Sequence, residues 1–210
     1  MTTATDTSSV ASSAGQAVDI AKDGVDPGVR DRVVSIYGVG TPAAITKWWV
    51  IFYDPSVASH GRAVKVENGQ ITKAYEANGG VVYMRSLTFP RSSVTGEGAA
   101  LGNAQQYATQ HAIAYDGVRA LLRTTSEGGS LRWRVELMKG ADNKGFVFTR
   151  ASNGTFAMYA PPGTQPTGTS ADTGGLVGDA KKLGNDVKST FLGIGGDLQE
   201  FFTGDRTVDQ

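Results

Sequence analysis

A chain of 210 residues, 40% hydrophobic and 19% charged, is long enough for one sizeable core or two small ones and has the composition of a soluble globular protein. Its 20 basic residues balance 20 acidic ones, so no net field draws it to nucleic acid or an anionic membrane, and the lack of cysteine removes disulfides, thiolate metal sites and thiol nucleophiles together. No run approaches the roughly 18 apolar residues of a membrane span, and Met1–Asp19 lacks the basic start and apolar run of a signal peptide, so the expectation is a soluble chain, of the bacterial envelope only if a signal was removed.

Residues 1–25 read as a Ser/Thr-rich lead-in followed by a shallow helical face, Val10, Ala14, Ala17, Val18, Ala21 and Val25. Asp26-Pro27 interrupts it. Pro27 suits the first position of a second helix capped by Asp26, with Val29, Val33, Val34 and Ile36 as its apolar side and Gly38-Val39-Gly40 as its end. Thr46–Tyr53 is a strand rich in aromatic and β-branched residues that Asp54-Pro55 stops, and Gly61–Glu67 and Gln70–Glu76 flank Asn68-Gly69, a strong hairpin signal. Val81–Phe89, between Gly79-Gly80 and Pro90, supplies a fourth strand.

Ala99–Thr125 carries the longest helical pattern: Leu101, Ala104, Tyr107, Ala108, His111, Ala112, Tyr115, Val118, Leu121 and Leu122 follow steps of three and four and predict a core stripe. Leu131–Lys139, Gly145–Ala151 and Thr155–Tyr159 then read as strands, the last two joined through Asn153-Gly154. The region repeats. Setting Trp48 against Trp133 brings Val50 onto Val135, Phe52 onto Leu137 and Asn68-Gly69 onto Asn153-Gly154 without a gap. Upstream, Gly28-Val29-Arg30 matches Gly117-Val118-Arg119 if the second copy has lost four residues. After Pro161-Pro162 a Gly/Thr/Pro linker (161–175) precedes a seam of Leu176, Ala180, Leu183, Val187, Phe191, Ile194, Leu198 and Phe201, which predicts an amphipathic helix over 176–203 and a tail over 204–210. Interior glycines in that segment each cost roughly 1 kcal/mol, so the seam implies a partner surface, in the same chain or in another copy or protein.

The expected fold class is therefore α+β: two tandem helix-plus-antiparallel-sheet repeats, 26–90 and 91–160. A helix packed on an antiparallel sheet and repeated in tandem resembles the cystatin-like group of folds, in particular PepSY-like domains, and is similar to the two-repeat bacterial β-lactamase inhibitor proteins. The hairpins at Glu67-Asn68-Gly69 and Ser152-Asn153-Gly154 carry the glycine of the PepSY pattern without its threonine. The resemblance implies peptide or protein binding, sometimes inhibition of an enzyme, and transfers no individual functional residue. The cone-shaped fold of nuclear-transport-factor-like proteins is a further resemblance and implies a small-molecule pocket.

Strand alternation puts Trp48, Val50 and Phe52 on one face, matched by Trp133, Val135 and Leu137. The other face carries Trp49, Ile51 and Tyr53 in the first copy but Arg134, Glu136 and Met138 in the second. An apolar back face is either covered by the chain's own elements or offered as a recognition surface, and Trp49, Ile51 and Tyr53 are the binding candidates. His60, near Asp54 and ahead of Gly61-Arg62, joins them as the better placed of two histidines; neither it nor His111 sits in a metal-ligand spacing. Leu176, Leu183, Val187, Phe191, Leu198 and Phe201 are the candidate partner-helix residues. No cofactor is implied. The function read from sequence is a non-catalytic protein- or peptide-binding or assembly protein, possible self-association through the C-terminal helix included; the alternatives are a small-molecule-binding cone fold and a weakly marked hydrolase.

Overall fold

The computed structural model describes residues 13–77, 83–124 and 130–162. Ser13 accepts a hydrogen bond from the Gln16 amide and so caps α1 (Ala14–Ala21), whose small residues Ala14, Ala17, Val18 and Ala21 are buried. Four antiparallel strands follow, β1 (Val33–Gly40), β2 (Ile45–Tyr53), β3 (Gly61–Glu67) and β4 (Gln70–Glu76). Then come α2 (Glu97–Gln110) and a second set of four, β5 (Gly117–Thr124), β6 (Leu131–Lys139), β7 (Asp142–Arg150) and β8 (Phe156–Ala160). All eight strands form one antiparallel sheet in the order β4-β3-β2-β1-β5-β6-β7-β8, so the fold is mixed α+β with both sets in one sheet.

Three expectations are corrected. The helix expected from Pro27 is strand β1, and the second half of the helix expected over Ala99–Thr125 is strand β5. The cause is common to both: these are the two central strands, buried on both faces, so their apolar residues run continuously and the period-two signal is lost. The described part of Val81–Phe89 is not a strand; Arg85–Leu87 is a short 3-10 turn and Phe89 makes one isolated bridge to Val33. By contrast β3, β4 and β6 have the expected limits, and the Asn68-Gly69 turn has the predicted positive φ at both residues, 52° and 75°.

Backbone register gives the correspondence between halves more closely than sequence does. Gly38 pairs with Trp48 and Leu122 with Trp133, so β5 matches β1 and Gly117 matches Val33, not Gly28. Tyr37 pairs with Leu121, which are matching positions, so an approximate twofold axis runs between them. The outer hairpins share an irregularity. Thr72 is an extra residue in β4 between Lys65–Lys73 and Val66–Ile71, and Ala157 is an extra residue in β8 between Phe148–Met158 and Thr149–Phe156. Ile71 thus matches Phe156, and Ala74 matches Tyr159.

Both helices lie on one face of the sheet over a shared core in which Trp48, Phe52, Trp133 and Leu137 are wholly buried. Each such side chain contributes roughly 1.5–3 kcal/mol through burial. Trp133 also donates from Nε1 to the Thr95 carbonyl at 2.6 Å. The other face carries a smaller core of Val34, Tyr37, Trp49, Ile51, Tyr83 and Leu121, and residues 83–89 lie against it. That segment is pinned by Tyr83 N–H to Ser59 O, 2.9 Å, and Phe89 N–H to Val33 O, 2.8 Å. Gly61 is required beneath it, because a Cβ there would lie 2.2 Å from the Tyr83 ring.

Candidate functional site

The back-face candidates are inside. Trp49 and Ile51 are buried against Tyr37, Tyr83 and Leu121, so they form core rather than an open recognition surface. Tyr53 is half-buried and meets His60 edge-on at 5.8 Å between ring centroids. His60 sits in the loop with φ 54°, and its neighbouring carboxylate is occupied elsewhere: Asp54 accepts from Ser56 N–H, Ser56 Oγ and Arg62 Nε. Burial pushes the Asp54 carboxyl up, but these hydrogen bonds and the Arg62 charge outweigh it and hold its pKa below the ordinary value. The hydrogen-bonded His60–carboxylate pair that would favour hydrolysis is not made with Asp54. The partner-helix residues Leu176, Leu183, Val187, Phe191, Leu198 and Phe201 lie outside the described residues.

Behind the second half, Glu136 lies 3.9 Å from Arg119 Nη1 and 4.0 Å from Arg134 Nη2, and Asn143 donates to its other oxygen. The Arg134 guanidinium lies 4.0 Å over the Phe146 ring, and burial pushes its pKa down to about 10. The charged back anticipated from Arg134 and Glu136 is present, but it is a buried network in which cations and carboxylate face one another.

One open feature was missed by sequence reading. Ala100, Ala104 and Ala108 bring one face of α2 close to the sheet, and α2 packs on β6 and β7. Its flank, Asn103, Gln106, Tyr107, Gln110 and His111, follows helical steps of three and four and faces Phe156 of β8 across a groove of about 320 Å³. Asn103 fixes the groove's end by donating to Thr149 Oγ1 at 3.1 Å and to the Gly154 carbonyl at 3.0 Å. The extra residue Ala157 turns Phe156 and Tyr159 onto the same side, where strict alternation would separate them. Tyr107 stacks with Tyr159 at 4.2 Å, with His111 at 4.1 Å and with Phe156 at 5.9 Å.

The stack is well supported. Tyr159 donates its hydroxyl to the Lys144 carbonyl at 2.7 Å and its ring rests on Gly145, where φ is 128° and a Cβ would lie 2.3 Å from the hydroxyl. His111 is placed by the helix end: Ala112 takes φ 52° and Ile113 N–H returns to the Ala108 carbonyl at 2.8 Å. Phe156 remains 42% exposed and His111 is exposed, although the sequence stripe placed His111 with the core. The available signals were the Tyr107–His111 spacing and the amides Asn103, Gln106 and Gln110 on one flank; the Phe156–Tyr159 pairing depends on a bulge that no local residue announces.

No family model, characterised protein or solved structure matches this chain. The site therefore rests on its own geometry. Among the described residues no group of three or more His, Asp or Glu is placed to hold a metal, and no helix is long and apolar enough to cross a membrane.

Proposed function

We propose that the chain is a non-catalytic binding protein made of two cystatin-like or PepSY-like repeats and that it holds a peptide or a segment of another protein in the groove between α2 and β8. The duplication is supported by the recurring order of one helix and four strands, by the Tyr37–Leu121 axis and by the matching extra residues Thr72 and Ala157. The binding reading is carried by one observation: a supported ring stack that ends on Phe156, one of two large hydrophobic side chains exposed among the described residues, beside three amide side chains. The space between helices and sheet, where the cone-fold reading would put a small molecule, is filled by Trp48, Trp133 and their neighbours.

The test is selection of a displayed random-heptapeptide library on the immobilised full chain, run beside a Phe156→Ser variant. Enrichment of a shared motif on the first and its loss on the second is the expected result. Equal recovery on both, with the variant folded by circular dichroism, overturns the assignment of the groove.

A further inference from the structure

Resting on that binding reading, we infer that the bound segment is an extended peptide that adds to β8 as a ninth strand and seats one uncharged aromatic side chain, Tyr or Trp, in the groove. β8 is the last strand of the sheet order, so its outer edge has no strand beside it among the described residues. Charge is one of the devices that keep a foreign strand off such an edge, and the two ends of this sheet differ in it. β4 carries Lys73 and Glu76, and the Lys73 ammonium lies 5.0 Å over Tyr75. β8 reads FAMYA and carries no charge.

An added strand would run about 4.8 Å outside β8, and every second side chain would point to the helix side. That side is the groove. Its lining of Asn103, Gln106, Tyr107, Gln110, His111 and Phe156 has no carboxylate, ammonium or guanidinium. A Lys or Arg side chain entering it would find no carboxylate there, and a Glu side chain no ammonium or guanidinium. An aromatic ring would instead meet the exposed Phe156 and His111 rings, and the Gln106 and Gln110 amides offer hydrogen bonds to a phenol or indole. The volume, about 320 Å³, is at the small end of ligand sites, which suits one ring system better than a helix.

The experiment is calorimetric titration of the full chain with blocked pentapeptides, alternating Thr and Val around a central Trp. Three companions are needed: a central Glu, N-methylation of alternate backbone amides, and N-acetyl-tryptophanamide alone. The central-Trp peptide is expected to bind, with affinity falling about tenfold or more for the Glu peptide, for the N-methylated peptide and for the Phe156→Ser protein. An N-methylated peptide that binds as well as its parent, or N-acetyl-tryptophanamide binding as tightly as the peptide, overturns strand addition while leaving the groove a binding site. A displayed-library motif that requires Phe156 but is charged, or binds without an aromatic residue, overturns the ligand chemistry alone. If no peptide binds and the library yields nothing, the binding reading falls as well.

Discussion

The two ends of the sheet share a bulged hairpin and differ in the side chains that the bulge directs. Both outer hairpins have an extra residue in the edge strand, which turns two side chains toward the helix: Ile71 and Ala74 at one end, Phe156 and Tyr159 at the other. Over the smaller pair α1 reaches the edge strand itself. Over the larger pair α2 packs on β6 and β7, and the rings fill part of the remaining gap and line the rest. The cleft at the first end is edged by Asp23, Asp26 and Arg62, whereas the second is lined by no Asp, Glu, Lys or Arg. One antiparallel sheet thus carries different clefts at its two ends through the side-chain volume at bulge-directed positions, with no change in topology.

The largest expected effect compares the matched tryptophans. Replacing Trp48 or Trp133 by Ala should each lower unfolding free energy by about 3–5 kcal/mol in urea titrations, with Trp133→Ala worse by about 1 kcal/mol for its lost bond to Thr95. Equal losses would show that the bond adds nothing beyond packing. Next, Tyr159→Ala gives the second end the residue of the first and should cost about 2–4 kcal/mol and remove peptide binding, whereas Phe156→Ser should change stability by less than about 0.5 kcal/mol and still weaken binding. A Phe156→Ser protein that unfolds would make that ring structural.

Two carboxylates sharpen the comparison through pH. Glu97, at the start of α2, accepts the Ala14 amide of α1 at 2.6 Å, and burial raises its pKa more than that hydrogen bond lowers it. Its folded pKa lies above the unfolded one, so its contribution is fully present below the unfolded pKa and is lost as pH rises through the folded value. Asp54 has the opposite sign: its contribution is present above the unfolded pKa and is lost as pH falls through the depressed folded value. Urea midpoints across acid pH should therefore show Glu97→Gln removing a stability loss on raising pH from the ordinary Glu range, and Asp54→Asn removing a loss on lowering it. The same slope in wild type and both variants would sink this account. The smallest effect is expected from Ala112→Gly, which relieves a left-handed alanine and should raise stability by about 0.5 kcal/mol in the same assay; a decrease would mean that Ala112 is held without strain.

Hairpins were legible in the sequence because turn chemistry and alternation agree there, as at Val66-Glu67-Asn68-Gly69. The central strands were not. Val33, Val34 and Ile36 in β1, and Val118, Leu121 and Leu122 in β5, fall at helix-compatible spacings only because both faces are covered. Aligning Trp48 with Trp133 recovered the outer ends, but Val64 pairs with Val50 and Val147 with Val135, so β3 and β7 are offset by two residues from the gapless match. Compensating loop lengths hid this. The contrast between an aromatic and a charged back face was legible, but its meaning depends on the Tyr83–Phe89 segment that crosses one half, a long-range placement beyond local pattern.

The central pair also bears on how the molecule reaches its native state. Every other strand pairing joins neighbours in sequence, while β1 and β5 meet only after a loop of roughly 80 residues has closed, a step penalised by chain entropy that the short hairpins avoid. The expected order is two separately formed meanders followed by their docking along Tyr37 and Leu121, which makes that seam the rate-limiting event. Until it closes, both meanders expose an uncapped apolar strand, and the most aggregation-prone moment in the life of the chain is the interval before the two meet.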